Sequence, residues 1–257
     1  MKRTVSWLIA IVVTTVLTLL VFFPAAWVAA LVEKQTGGRL TLGDAQGTLW
    51  RGSAFVGGAA SGSGPVTPLL PGRFAWKLSP LSLLGSVHMD LENPQALTQP
   101  VTFTGSWRAW QLSPAALLLP ADGLSGLGAP LNTLALSGRL QLGWTSLALA
   151  LENRNIAVNG VTTLQMDDVS SRLAPIKPLG SYRLALDWKG QQAAVALSST
   201  KGPLLLSGSG QLRNGRLQFS GQAEAAAGYE DTLGNLLNLL GQRRNVGGKK
   251  IIALEFR

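Results

Sequence analysis

Cysteine is absent from the 257 residues, and histidine occurs once, at His88. Without cysteine the chain has no disulfide framework, no thiol nucleophile and no cysteine-ligated metal site. The missing thiols are compatible with an oxidising compartment, in which unpaired thiols are a liability. A single histidine also removes most options for metal binding and acid–base chemistry.

Catalytic motifs are lacking as well. His88 alternates with Val87 and Met89, which predicts a position on the polar face of a strand. The acidic doublet Asp167-Asp168 is typical of a turn or strand end, and there is no nucleophile-elbow sequence. The glycine-serine runs lack the Lys-Ser or Lys-Thr of a phosphate-binding loop. We therefore expect no enzyme activity, no metal and no cofactor.

Charge is scarce, because charged residues make up 14% of the chain and about 25% is usual. The formal net charge is +9, yet the basic residues are scattered, with doublets only at Lys2-Arg3, Arg243-Arg244 and Lys249-Lys250. No basic stripe with interleaved aromatic residues appears, which argues against nucleic-acid binding. Scattered basic residues are typical of a solvated face, which an anionic membrane surface would attract.

The amino-terminal segment carries no charge from Thr4 to Val32. Residues 4–23 match the ~20 apolar residues that cross a bilayer as a helix. Trp7 and Trp27 would place one indole near each interface, and Phe22, Phe23 and Pro24 lie at the far end of the span. We therefore predict that residues 1–32 form a short cytoplasmic tip and a single-pass membrane anchor.

The orientation follows from Lys2 and Arg3, which the positive-inside rule keeps in the cytoplasm. The body of the protein is then expected on the other side of the membrane. A cleaved signal peptide ending at Val28-Ala29-Ala30 is the alternative. The apolar run exceeds the ~7–15 residues of a signal peptide's apolar region, which favours an uncleaved anchor.

Period-2 alternation of apolar and polar residues dominates positions 33–257, as in "RFAWKLS" and "SYRLALDW". It predicts a mainly β body: an elongated, curved, largely antiparallel sheet with a few short helices. Asn159-Gly160 and Asn214-Gly215 predict tight hairpins. The segment from Asp231 predicts a short amphipathic helix covering one end of the sheet. Residues 33–257 read as one domain, with a soft division near residue 125.

An internal echo links "WKLSPLSLL", from Trp76, and "WQLSPAALL", from Trp110. Each copy predicts a strand end followed by a Ser-Pro turn that opens a short helical turn. Two copies suggest repeated strand-plus-crossover units in one sheet, and chance recurrence in a leucine-rich chain is the alternative.

The stretch "LTLGDAQGTLWRGSA", residues 40–54, predicts a strand, a turn at residues 44–47 and a second strand. Leu49 and Trp50 are expected to anchor the turn. With the preceding Phe23-Pro24-Ala25, and with later segments such as "LGSYRLALDWKG", the stretch resembles the type II secretion system protein N family of diderm bacteria. The signature residues of this resemblance are Gly47, Thr48, Leu49, Trp50, Arg51 and Gly52.

The resemblance implies a non-catalytic inner-membrane protein with a periplasmic β domain, accessory to the export of folded proteins across the outer membrane. Its partners would be other secretion-system proteins, in the inner-membrane platform, the outer-membrane secretin or both. A remote likeness to AsmA-like proteins implies an alternative, a lipid-binding or lipid-transfer module with an apolar groove. The candidate groove residues are Trp76, Trp144, Leu184, Leu186 and Trp188.

Overall fold

The computed structural model describes residues 2–58, 66–120, 136–152, 155–172, 174–213, 215–240, 242–246 and 249–256. The described helices are α1 (Lys2–Val21), α2 (Ala25–Gln35), the 3-10 helix η1 (Pro80–Leu84) and α3 (Glu230–Leu240). The first eight strands are β1 (Leu40–Gly47), β2 (Arg51–Gly58), β3 (Thr67–Leu78), β4 (Val87–Glu92), β5 (Val101–Gly105), β6 (Ala109–Leu112), β7 (Ala115–Pro120) and β8 (Leu136–Trp144). The other eight are β9 (Leu147–Glu152), β10 (Asn155–Ser171), β11 (Gly180–Gly190), β12 (Gln192–Lys201), β13 (Leu204–Arg213), β14 (Arg216–Ala225), β15 (Gln242–Val246) and β16 (Lys249–Phe256).

The predicted anchor segment forms two helices rather than one. Pro24 is extended, with φ −66° and ψ 138°, and it separates α1 from α2. Because proline cannot continue the α1 hydrogen-bond ladder, the break falls where the sequence placed the end of the span. Residues 25–32 were predicted as part of the anchor, but they belong to α2, which packs against β1.

Among the described residues, no helix combines the length and the apolarity that a membrane crossing requires. The predicted span over residues 4–23 is therefore not found.

The mainly β, antiparallel architecture is confirmed. All described strands belong to one sheet, and each of their pairings is antiparallel. Strands β1 to β6 follow one another in the sheet, β6 pairs with β9, and β9 to β14 continue the series to β16 and β15. The predicted strand-plus-crossover units are wrong, because most consecutive strands meet as antiparallel neighbours and no described pair is parallel.

The sheet branches at β10, which is 17 residues long. One side of β10 pairs with β11. The other side pairs with β9 through residues 155–159 and with β8 through residues 162–171. Strand β8 carries β7, and residues of β7 contact those of β3. The β7–β8 pair therefore covers the early part of the sheet, and the predicted soft division near residue 125 lies outside the described residues.

The two predicted Asn-Gly hairpins have different outcomes. The hairpin predicted at Asn214-Gly215 is confirmed, because Arg213 pairs with Arg216 across the turn between β13 and β14. The hairpin at Asn159-Gly160 is wrong, since β10 continues through both residues. A Cβ at Gly160 would lie 2.7 Å from Cδ2 of Leu147 and 2.9 Å from the Ser146 carbonyl oxygen. The glycine permits a close approach of the neighbouring chain rather than a turn.

The two copies of the internal echo also differ. After β3, the Ser79 side chain accepts a hydrogen bond from the Leu81 backbone and Pro80 opens η1, as predicted. After Pro114 the chain enters strand β7 instead of a helical turn. Ala115 and Ala116 are buried there and pair with Trp144 and Gly143 of β8, so strand pairing decides the conformation of the second copy.

The strand registers place the apolar side chains on one continuous face of the sheet, because residues paired across antiparallel strands share a face. One core lies on the early strands and includes Phe74, Leu97 and Val101. A second core lies under α3, where Leu233, Leu236 and Leu237 pack against Ala223 and Ile252. The predicted amphipathic helix over one sheet end is thus confirmed.

Tyr182 links β11 to the start of β13. Its side chain is buried, and its hydroxyl donates a hydrogen bond of 3.1 Å to the Leu204 carbonyl oxygen. Burial raises the pKa of this phenol well above its usual value, because the charged form would lose its hydration. The hydroxyl therefore remains a donor at physiological pH.

We expect Leu233→Ala to lower the free energy of unfolding by about 2–5 kcal/mol, because Leu233 of α3 is fully buried between the helix and the sheet and its truncation leaves a cavity. The matched control is Leu118→Ala, at a leucine of β7 that is 43% exposed, with an expected cost below about 1 kcal/mol. Urea denaturation of both variants measures the difference. Equal losses would contradict the assignment of α3 to the core.

Candidate functional site at the helix–sheet junction

The signature turn lies later in the chain than predicted. Strand β1 continues through Gly47, and residues 48–50 make the turn into β2. Asp44 has φ +48° and sits where the β1–β2 register shifts, so the predicted turn at 44–47 is a bulge. Arg73 holds this bulge, because its guanidinium forms an ion pair with Asp44 and donates to the Asp44 carbonyl oxygen at 2.9 Å. The same guanidinium lies 4.6 Å from the ring centroid of Phe55.

The signature turn binds the break between α1 and α2. The Leu49 backbone N–H donates to the Phe23 carbonyl oxygen at 2.8 Å, and Thr48 forms an isolated antiparallel bridge with Pro24. The Trp50 indole N–H donates to the Leu20 carbonyl oxygen, also at 2.8 Å. The last carbonyls of a helix lack partners within the helix. Trp50 therefore caps the end of α1.

The same turn is held on its other side by β3. The Trp76 indole N–H donates to the Leu49 carbonyl oxygen at 3.0 Å, and the Leu78 backbone N–H donates to the Trp50 carbonyl oxygen at 2.8 Å. Gly52 lies under the Trp76 ring, where an added Cβ would be 2.8 Å from Cε2 of Trp76 and 2.7 Å from the Thr48 carbonyl oxygen. Trp50, a signature residue, and Trp76, a candidate groove residue, thus stabilise the same turn from opposite sides.

The predicted anchor residues lie beside this turn or extend away from it. Phe23 and Trp27 pack edge to face, with ring centroids 5.2 Å apart. Trp7, Phe22 and Trp27 are exposed, Trp27 on the surface that Phe23 does not contact. Of this set, Phe23 and Pro24 touch the signature turn directly.

The predicted groove residues share the apolar face but have different neighbours. Trp76 contacts the signature turn, and Trp144 packs on the early core with its indole N–H donating to the Ser113 carbonyl oxygen at 2.8 Å. Leu184, Leu186 and Trp188 lie half-buried on β11, and the Trp188 indole N–H donates to the Thr162 hydroxyl at 2.9 Å. Because Thr162 of β10 is paired with both Trp144 and Leu186, Trp144 and the three β11 residues lie on the same face on either side of β10, whereas Trp76 lies apart at the signature turn.

A shallow hollow of about 310 Å³ opens beside the turn and is lined by Gly47, Gly52, Trp76, Lys77 and Glu92 among others. Lys77 and Glu92 form an exposed ion pair at 3.4 Å, and His88 lies 3.7 Å from Asp90 nearby. Across the described part of the chain, no group of three or more histidine, aspartate or glutamate side chains is placed to hold a metal ion.

Sequence reasoning missed the helix side of this site. The acceptors for Trp50 and Leu49 are the backbone carbonyls of Leu20 and Phe23, and a carbonyl group leaves no signature in a sequence. Arg73 was missed as well, although its position before "FAWKL" puts it on the strand that carries Trp76.

These features define a protein with a large antiparallel sheet and an apolar amino-terminal helix joined to one end of that sheet by a tryptophan-bearing turn. Residues 38–251 match the family model of the type II secretion system (T2SS), protein N, and the chain belongs to this family. The match includes the signature turn and every strand from β1 to β15, which confirms the resemblance stated above. No curated protein matches the chain. No solved structure matches it either.

We expect Gly52→Ala to destabilise the protein by about 1–3 kcal/mol, because the new methyl group would overlap the Trp76 ring and the Thr48 carbonyl. Gly43→Ala is the matched control in the preceding strand. A Cβ there meets only the Phe55 carbonyl oxygen, at 4.0 Å. Thermal unfolding of both variants tests this, and a Gly52 variant as stable as the Gly43 variant would show that the indole does not lie on Gly52.

We expect Trp50→Phe to remove the hydrogen bond to Leu20 and to cost about 1 kcal/mol, the usual net value of such a bond. The effect should be local, with faster amide exchange at Leu49, whose N–H binds the adjoining Phe23 carbonyl. Hydrogen exchange of the full chain measures it. Trp188→Phe, which loses an indole bond to Thr162 far along the sheet, is the control and should leave exchange at Leu49 unchanged.

Proposed function

We propose that the protein is a non-catalytic accessory component of the type II secretion apparatus, attached to the inner membrane by α1, with its sheet in the periplasm as a scaffold for other apparatus proteins. Family membership supports a role in this secretion system. The observation that carries the proposal is an apolar helix fixed to the end of a sheet that, among the described strands, keeps an unpaired edge at β15.

Membrane attachment is supported by the surface of α1. From Trp7 to Phe22 every side chain is exposed except Leu20, and those exposed include Leu8, Ile9, Ile11, Val12, Val13, Val16, Leu17 and Leu19. Soluble proteins rarely expose so large a contiguous apolar surface. Contact with lipid would remove it from water, and Lys2 and Arg3 at the start of α1 favour a cytoplasmic location of that end.

Scaffolding is supported by the sheet edges. Among the described strands, β15 pairs only with β16, and β1 pairs only with β2. Helix α2 packs on β1, whereas an edge strand such as β15 presents backbone N–H and C=O groups that can pair with a strand of another protein. This arrangement supports the proposal that an inner-membrane platform protein or the secretin binds by strand addition at β15.

We expect a variant that lacks residues 2–21 to fail to support exoprotein export, because its sheet would lose the attachment to the membrane. Export is measured in cells that lack the chromosomal copy and carry either the intact chain or the deletion. Replacing these residues by an unrelated membrane-spanning helix is the control and should restore export. Full export with the deletion variant would contradict attachment through α1.

Crosslinking in the same cells tests the scaffold role. We expect the intact chain to be recovered with one or more secretion-system proteins. Recovery of lipid alone, without any apparatus protein, would count against a scaffold.

A lipid-binding module is the second candidate, and the apolar face of the sheet favours it. Leu184, Leu186 and Trp188 are only half-buried, although they lie on the same face as the two cores. An uncovered apolar sheet face tends to be buried against something else. Delipidated full chain that takes up no fluorescent lipid would exclude this function, whereas stoichiometric uptake would favour it over scaffolding.

A further inference from the structure

The strand registers bring several separate turns to one end of the sheet. Thr48 of the signature turn, η1, Trp107 between β5 and β6, and the turn from Arg213 to Arg216 all lie at this end, as do the end of β9 and the start of β10. We name this end of the sheet the hairpin rim. Its opposite end carries α3 and the loop from Asn93 to Pro100.

Large apolar side chains are exposed along the hairpin rim. Leu84 is 83% exposed and Trp107 is 61% exposed. The Trp107 indole N–H donates to the Ser82 carbonyl oxygen at 2.5 Å, so the ring is held against η1 instead of turning into the sheet. The other exposed apolar residues of the rim are Leu81, Leu83, Leu151, Ile156 and Leu217.

The opposite end differs in character. Its leucines at positions 97, 179, 204 and 233 are buried. Among the described residues at that end, Val66 and Tyr229 are the large apolar side chains that are exposed. Within the described ranges, large apolar side chains are therefore mostly buried at the opposite end and form a broad exposed border along the hairpin rim, which a uniform soluble surface does not explain.

Basic side chains accompany this apolar border. The exposed cations of the rim are Arg51, Arg108, Lys189, Arg213 and Arg216, and its exposed acids are Glu152, Asp187 and Glu255. Arg213 lies directly across from Arg216 in the strand register, a like-charge pair that is unfavourable in water alone. An anionic surface above the pair would compensate for this repulsion.

Helix α1 ends at the same rim. The Leu20 carbonyl oxygen accepts the hydrogen bond of the Trp50 indole, and Phe23 binds Leu49, so the apolar helix joins the body beside η1 and Trp107. Whatever embeds α1 must therefore come close to the exposed leucines of the rim.

We infer that the hairpin rim lies on a bilayer surface with anionic head groups, with Leu84 and Trp107 at the lipid–water interface and the rim arginines at the head groups. Tryptophan and leucine on a basic surface are the combination that binds such an interface. This inference rests on the proposed attachment of α1 to the membrane, and it adds that the body is held against the bilayer in one orientation.

The absence of cysteine permits a direct test with single labels in the full chain. Leu84→Cys on the rim and Gln99→Cys at the opposite end each carry an environment-sensitive fluorophore, in nanodiscs containing phosphatidylglycerol. We expect quenching by a lipid-borne nitroxide at head-group depth to be several-fold stronger for the Leu84 label than for the Gln99 label. Ile156→Cys is the second rim position and should behave like Leu84.

A third label, Val12→Cys in α1, separates the two proposals. Quenching at Val12 with water-exposed labels at Leu84 and Ile156 would overturn the rim contact and leave membrane attachment intact. Water-exposed labels at all three positions would overturn both. Nanodiscs of phosphatidylcholine alone test the head-group charge, and undiminished quenching at Leu84 in them would overturn the electrostatic part of the inference.

Discussion

The structure depends on one turn whose backbone is bonded on both sides. Residues 48–50 use their N–H and C=O groups to bind the helix break at Phe23 and the strand β3, and the Trp50 and Trp76 indoles close the two sides. Buried backbone groups without partners are costly, so this turn has a single favourable arrangement. The position of α1 relative to the sheet is set by that arrangement together with the packing of α2 on β1.

The apolar face of the sheet is covered by different elements along its length. The pair β7–β8 covers the early strands, and α3 covers the last ones. Between these covers the face is unevenly covered, because Leu184, Leu186 and Trp188 are half-buried while Ala193 and Val195 of β12 are buried, and toward the hairpin rim Leu151, Ile156 and Leu217 are exposed. A protein that works alone in solution would seal this border, whereas a component that meets a membrane and other subunits has a use for it. Membership of the type II secretion system protein N family is in keeping with such a component.

Features set by local chemistry were predictable from the sequence, and features set by distant neighbours were not. Alternation gave the strands, the leucine spacing after Asp231 gave α3, and Asn214-Gly215 gave the Arg213–Arg216 pairing. The same Asn-Gly signal failed in β10, where β9 and β8 together hold the chain extended through Gly160. The site was half predictable: its tryptophans stand out in the sequence, but the carbonyl groups that they bind do not.

The link between Pro24 and Thr48 offers the most direct measurement of the central claim. Facing residues of an antiparallel bridge have Cβ atoms ~4.5–5.5 Å apart, close to the spacing that a disulfide needs. In this cysteine-free chain, Pro24→Cys combined with Thr48→Cys should form an intramolecular disulfide under mild oxidation, while Pro24→Cys combined with Gln99→Cys should not. Failure of the first pair to crosslink, or equal crosslinking of both, would show that the signature turn does not hold the helices at this end of the sheet.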